Sequence, residues 1–172
     1  MTQKRKPGKV VQMPQTEENQ IRARARSLPL GRCYITRGWE ESREGNVIVT
    51  RMHKQGGVTV GAFLVDLALL GIKDSTYRFN LSQEEYADFL NKMHAKDAME
   101  ETDYVLAHNL IYGALEYAES FRIKPHKDFS VSRYILEEDT EEIPLMDIEF
   151  GVEGVPTIFT SNQDPHPGLK ST

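Results

Sequence analysis

The chain has 172 residues, of which 39% are hydrophobic, and this is enough for one domain with its own core. The single cysteine, Cys33, cannot form an internal disulfide, and the Lys- and Arg-rich first residues lack the apolar run of a secretion signal, so we expect a cytoplasmic protein. The longest apolar stretch, residues 62–71, is interrupted by Asp66 and is far shorter than the roughly 20 residues of a membrane span, so no membrane partner is expected.

Charge divides the chain into a basic and an acidic part. Residues 1–27 carry seven Lys and Arg against two Glu, a net charge of +5, whereas residues 28–160 carry 13 Lys and Arg against 23 Asp and Glu, a net charge of −10. This division predicts a basic N-terminal arm (1–27), a single domain (28–160) and a disordered tail (161–172). The arm would contact nucleic acid or a ribonucleoprotein, because the acidic body is repelled by phosphates. Its candidate binding residues are Lys4, Arg5, Lys6, Lys9, Arg22, Arg24 and Arg26.

The beginning of the chain is predicted to be disordered, since residues 1–15 offer little apolar surface to bury. A helix is expected from Thr16, which can serve as N-cap, with Glu17 and Glu18 in the first turn. A strand is the alternative, because small or apolar residues alternate with arginines between residues 21 and 26. Alanine is a poor strand former, so the helix is favoured.

Strands are predicted next. Residues 32–37 are rich in β formers and end before Gly38, after which Trp39 is expected to fold back as a lid on the sheet. The stretches NVIVTRMHK and VTVGAFLVDLAL flank Gln55-Gly56-Gly57, which indicates a β-hairpin with both glycines at positive φ. Its second strand is apolar on both faces, so it should be interior and covered by helices. A further strand, STYRF, follows Gly71.

The second half of the chain indicates three helices and another hairpin. Ser82 and Glu85 fit a capping box, and the broad apolar face of residues 103–121 is typical of a core helix. Asp128 is expected to cap a short helix through Leu136, before a solvated acidic run at 137–142. The segments MDIEF and VPTIF around GVEG predict the second hairpin. The fold class is therefore α+β: a mainly antiparallel sheet containing two β-hairpins, packed against two or three helices.

Asp66 is a candidate catalytic residue because a carboxylate within an apolar strand must be satisfied by a partner or by a metal. A metal-dependent hydrolase or nuclease would gather further ligands around it, from Asp74, Glu40, His126 or Asp128. The structural interpretation is that Asp66 accepts hydrogen bonds from the turn at Leu69-Leu70-Gly71, and it is favoured because no ligand spacing specifies a metal. No metal site is therefore assigned.

His126 and Asp128 are the other weak catalytic candidates, because they place an imidazole and a carboxylate two residues apart beside Pro125. A structural role can account for residues 125–128, since Pro125 fixes a turn and Asp128 can cap a helix. The chain lacks the sequence motifs of nucleophilic serine hydrolases, phosphate-binding loops and zinc proteases. The sequence leaves the identity of any cofactor unknown.

Three stretches together suggest a relationship to other proteins: LPLGRCYITRGWEES, VIVTRMHKQGGVTVGAFLVDLALLGIKD and LIYGALEYAESFRIKPHKDF. Over roughly residues 28–136 the chain resembles a family of bacterial proteins with no assigned activity. The resemblance implies a bacterial, cytoplasmic origin, and it carries over no catalytic or binding residue.

Three classes of function follow from the sequence. The preferred one is a non-enzymatic binding or adaptor protein whose basic arm contacts nucleic acid; alternatively, the arm solubilises the chain or lies on its own acidic run at 137–142. The second is the metal-dependent hydrolase centred on Asp66. The third is a protein-interaction module that uses an open sheet edge or the acidic run.

Overall fold

The computed structural model describes residues 16–159, which form a five-stranded antiparallel sheet with helices on both faces. The predicted disordered segments 1–15 and 161–172 lie outside these residues. The strands are β1 (Leu30–Thr36), β2 (Glu44–Met52), β3 (Val58–Asp66), β4 (Gly71–Leu81) and β5 (Met99–Thr102), in the order β4-β3-β2-β1-β5. The helices are α1 (Glu17–Arg24), α2 (Trp39–Ser42), α3 (Gln83–Lys96), α4 (Tyr104–Glu119) and α5 (Phe129–Ser132). Short 3-10 turns, Ala25–Ser27 and Arg133–Ile135, follow α1 and α5.

The hairpin of β2 and β3 is confirmed, and its turn differs from the prediction in one respect. The backbone N–H of His53 donates to the carbonyl of Gly57 at 2.9 Å, which closes the turn. Gly56 has the expected positive φ of 97°, whereas Gly57 does not. Gly57 is needed for space, because a Cβ there would overlap the Asn80 side chain.

The apolar character of β2 and β3 on both faces reflects a layer of helix on each side of the sheet. Val47 and Val49 belong to the main core with α1, α4 and α5, whereas Ile48 belongs to a smaller core under α3. The capping box of Ser82 and Glu85 begins α3 as predicted, and the apolar stripe of this helix packs on the smaller core. Helix α4 is deeply buried, as its wide apolar face predicts.

The described part of the expected arm is helical, and it is packed in the main core. Thr16 caps α1 through a hydrogen bond from the backbone N–H of Asn19. Ile21 and Ala25 are fully buried, so the proposed boundary at residue 28 does not mark the beginning of the packed body. Sequence reasoning missed this because the alternating arginines obscure the i, i+4 pair formed by these two residues.

Several other expectations are corrected or refined by the structure. The second hairpin is wrong in position: residues 144–159 are irregular, with one isolated bridge between Val152 and Val155, and the additional hairpin joins β3 to β4. Asp128 precedes α5 and its side chain makes no capping bond. Strand β5, which pairs with β1, was not predicted. Trp39 is 9% exposed and joins the main core, as its predicted lid position requires.

Candidate functional site

Asp66 is buried at the end of β3, and the turn that follows satisfies its carboxylate. Its Oδ2 accepts from the backbone N–H of Leu70 at 2.8 Å, and its Oδ1 accepts from that of Ala68 at 3.2 Å. Burial raises the pKa of Asp66, and these two hydrogen bonds oppose the rise. This is the arrangement that the structural interpretation predicts.

The proposed ligands do not gather around Asp66. Within residues 16–159 no hydrogen bond or ion pair joins it to another carboxylate or to a histidine, and no group of three or more His, Cys, Asp or Glu could hold a metal ion. The nearest ion pair joins Lys73 to Glu44 at 2.9 Å. The geometry therefore gives no support to a metal-dependent hydrolase centred on Asp66.

His126 and Asp128 do lie together, in a contact that involves Asp74. His126 accepts a hydrogen bond at Nδ1 from the backbone N–H of Asp128 at 3.1 Å, and its Nε2 lies 3.6 Å from Asp74 Oδ1. The nearby hydroxyls of Ser75 and Ser132 are buried and bond to each other at 2.5 Å. These contacts fix the loop before α5 against β4, and they explain the two candidate residues structurally.

The candidate arm residues divide into two groups. Lys4, Arg5, Lys6 and Lys9 lie outside the described residues. Arg22 pairs with Glu18 at 2.9 Å, and the guanidinium of Arg24 lies over the Phe79 ring at 5.1 Å. Arg26 donates to the carbonyl oxygens of Leu136 (2.7 Å) and Arg133 (3.3 Å), and its Nη1 lies 3.4 Å from Glu138. At Arg26, therefore, the basic segment contacts the chain's own acidic run.

Arg51 is a buried cation that the sequence analysis did not single out. It is 2% exposed on β2 and donates to the carbonyl oxygens of Ile135 (2.9 Å) and Leu28 (2.7 Å). Its Nη2 has no hydrogen-bond partner among residues 16–159, and burial lowers its pKa. Arg51 and Arg26 together tie the N-terminal segment to the turn that precedes the acidic run. Only the fold could identify this role, because an arginine in an alternating strand is usually exposed.

Other reactive side chains are explained by packing. Cys33 is buried, and this raises the pKa of its thiol to about 11, so it is a poor nucleophile. His108 is buried on α4 between the rings of Tyr104 and Tyr112, and its Nε2 lies 2.9 Å from the carbonyl oxygen of Glu137. Neither residue lies in an arrangement suited to catalysis.

The last part of the described chain is an irregular segment, residues 137–159, which we call the acidic strap. It contains eight Asp and Glu and no Lys, Arg or His. Asn109 of α4 donates to Pro144 and accepts from the backbone N–H of Met146. Further along, Gly151 and Thr157 donate to the carbonyl oxygens of Leu67 and Ala68. The strap is thus attached both to α4 and to the turn that Asp66 organises.

Apolar side chains on the acidic strap project into solvent. Leu145 is 90% exposed, Ile158 62%, Val155 59% and Phe159 48%. Ile148 and Phe150 are instead partly buried against the main core, and Phe150 stacks on Tyr117 with 5.8 Å between ring centroids. Exposed apolar side chains that together form a contiguous patch are typical of interaction surfaces. The charges at 137–142 are evident from the sequence, whereas the apolar residues that follow them are predicted there to form a hairpin.

Neither edge of the sheet is well suited to pairing with a partner strand, which the hypothesis of an interaction module with an open sheet edge requires. On the outer edge of β4, the carbonyl of Ile72 accepts from His126, and the backbone N–H of Phe79 donates to Glu17. Strand β5 at the other edge has only four residues and presents the exposed carboxylates of Glu100 and Glu101. Short and charged edges discourage strand addition.

Comparison with known protein families, curated proteins and solved structures gives no match. The resemblance to a bacterial family over residues 28–136 therefore stays a prediction. No helix within residues 16–159 is long and apolar enough to cross a membrane.

Proposed function

We propose that this protein is a non-enzymatic protein-interaction module that binds its partners through the acidic strap, residues 137–159. The observation that carries the proposal is the exposure of Leu145, Val155 and Ile158 on a segment whose charged residues are all acidic. Burial of these side chains against a partner would be favourable by about 25 cal/mol for each Å² of apolar surface removed from water.

Charge determines the class of partner. The strap carries eight carboxylates, so a partner segment rich in Lys and Arg is attracted and an acidic one is repelled. The same charge opposes the pairing of two straps from two copies of the chain. The partner surface that fits is therefore a protein segment that alternates basic and apolar residues.

The attachment of the strap supports this role. Hydrogen bonds from Gly151 to Leu67 and from Thr157 to Ala68 hold its backbone against the body. A surface that is ordered before binding loses less conformational entropy on association than a free peptide does. The apolar side chains are thus presented in a fixed arrangement.

A peptide-display selection tests the proposal. The immobilised full chain is challenged with random 12-residue peptides, in parallel with a variant in which Leu145, Val155 and Ile158 are serine. We expect the selected peptides to be enriched in Lys, Arg and large apolar residues, with the apolar enrichment lost on the triple variant, which keeps the eight carboxylates. Enrichment of acidic peptides, or equal apolar enrichment on both proteins, would contradict the proposal.

The nucleic-acid hypothesis for the basic arm stays a prediction. Four of its seven residues lie outside residues 16–159, and Arg22 and Arg26 are engaged with Glu18 and Glu138. These contacts reduce the positive charge that the described part of the arm offers to a phosphate backbone. Residues 1–15 contain four Lys and Arg and no acid.

A further inference from the structure

A cavity of about 170 Å³ lies between α4 and the acidic strap. Apolar side chains of the strap, Leu145, Ile148 and Phe150, form part of its wall. On the helix side, Gly113 leaves room for the Phe150 ring, which a Cβ at this position would overlap. The shape of the cavity therefore depends on the absence of a side chain at Gly113, where α4 lies close to the strap.

Two carboxylates border the same cavity: Glu116 of α4 and Asp139 of the strap. Both side chains are exposed, and the pKa of Glu116 is raised by partial burial, by the nearby Asp139 carboxylate and by a hydrogen bond between the two carboxyl groups. Within residues 16–159 no ion pair reaches either carboxylate. A cation placed between them would relieve this repulsion.

The volume restricts what can enter. Sites that enclose small-molecule ligands have volumes of roughly 300–1,000 Å³, and this cavity is smaller. A single side chain is the more suitable occupant, in the manner of the apolar anchors that lie in pockets at the centre of protein interfaces. The combination of an apolar wall and an acidic border favours an apolar anchor with a basic neighbour.

We propose that this cavity receives one large apolar side chain of a partner protein, and that a flanking Lys or Arg of the same segment contacts Glu116 and Asp139. The inference rests on the proposed function and specifies where on the strap the partner is anchored. The partner motif is thus a large apolar residue next to a basic one, and Glu116 adds to the strap a carboxylate supplied by helix α4.

The test is an NMR titration of the ¹⁵N-labelled full chain with the peptide Gly-Ser-Lys-Leu-Lys-Ser-Gly. Leu145→Ser is expected to weaken binding about tenfold, because one of the apolar side chains of the cavity wall is lost. Glu116→Gln is expected to weaken it about threefold, as for a partly exposed ion pair. The matched control Glu84→Gln removes a carboxylate from α3, on the opposite face of the sheet, and should leave the affinity unchanged.

The outcomes separate this inference from the proposed function. If Ile158→Ser weakens binding and Leu145→Ser does not, the strap binds partners elsewhere and the anchor in the cavity is wrong. If Glu116→Gln and Glu84→Gln have equal effects, the basic contact is wrong. If this peptide does not bind while a peptide from the display selection does, the anchor motif is wrong and the proposed function stands. If deletion of residues 1–15 tightens binding more than tenfold, the cavity belongs to the chain's own N-terminal segment, and the inference is overturned.

Discussion

Asp66 lies at the end of β3 with both carboxylate oxygens bonded to backbone N–H groups of the following turn. Two carbonyl groups of the same turn, those of Leu67 and Ala68, accept hydrogen bonds from the acidic strap. The carboxylate therefore stabilises the turn that anchors the strap. Asp66 is buried, as a catalytic carboxylate often is, but its role in this fold is structural.

Asp66→Asn is expected to lower the free energy of unfolding by about 1–3 kcal/mol, because an amide can replace only one of the two acceptor oxygens next to a backbone N–H. Urea unfolding measures the change. Mn²⁺ binding, followed by calorimetry, should be undetectable in both proteins. If the wild type binds Mn²⁺ and the variant does not while remaining folded, the structural role is wrong.

The same substitution has a predicted effect on pH dependence. Burial raises the pKa of Asp66 in the folded state above its value in the unfolded chain. Between these two values the folded state holds more protons than the unfolded state, so the free energy of unfolding falls as the pH rises. Asp66→Asn should reduce this slope in urea unfolding measured across the carboxylate range. An unchanged slope would contradict the assignment.

At the scale of elements, helix α4 and the acidic strap fit together through Gly113 and Phe150. The Phe150 ring lies where the Cβ of any other residue at 113 would be, and it stacks on Tyr117. A glycine in the interior of a helix costs about 1 kcal/mol relative to alanine. Its presence in α4 is explained by the close approach of the strap.

Gly113→Ala is expected to displace Phe150 and to loosen the strap, while the helix itself gains about 1 kcal/mol from the better helix former. Hydrogen exchange of the Gly151 and Thr157 amides should become faster, because these groups hold the strap on the 66–71 turn. Adding Phe150→Leu makes room for the new methyl group and should restore slow exchange. Unchanged exchange in Gly113→Ala would show that this contact does not hold the strap.

The elements that sequence reasoning located correctly are those with local signals. The capping box at Ser82 and the wide apolar face of α4 depend on residues within one helix. Strand β5 was missed because MEET has no alternation, and its conformation is set by pairing with β1. The hairpin predicted at residues 146–159 failed because the apolar side chains there either contact α4 or remain exposed.

The candidate site was accessible to sequence reasoning only in part. The acidic run at 137–142 was recognised from its composition, and the solvated position predicted for it is borne out by the structure. Exposure of Leu145 and Ile158 could not be inferred, because alternating apolar residues normally indicate a half-buried strand. Glu116 and Asp139 are brought together by tertiary packing across 23 residues of chain.

At the scale of the whole molecule, the N-terminal segment is mainly basic and the acidic strap carries only acidic charge, and Arg26 brings the two into contact. Residues 1–15 carry four basic residues and no acid, and the strap carries eight acids and no base. Arg26 Nη1 lies 3.4 Å from Glu138, where the N-terminal segment passes the acidic run. The N-terminal segment is also held by Ile21 and Ala25, whose side chains are buried in the core.

This arrangement determines how the nucleic-acid hypothesis should be tested. Deletion of residues 1–15 is expected to abolish any retention of nucleic acid at low salt, measured as the ratio of absorbance at 260 and 280 nm. A deletion to residue 27, by contrast, would remove Ile21 and Ala25 and destabilise the core. Retention that survives the shorter deletion, or that is independent of salt, would contradict the hypothesis.

The strap presents an apolar and an acidic surface at once, and calorimetry of a selected peptide binding to the full chain tests both properties together. Burial of Leu145 and its neighbours predicts a negative heat-capacity change, and the carboxylates predict an affinity that falls as salt concentration rises. The variant with serine at positions 145, 155 and 158 should lose the heat-capacity change. Binding with no heat-capacity change and no salt dependence would contradict the central claim.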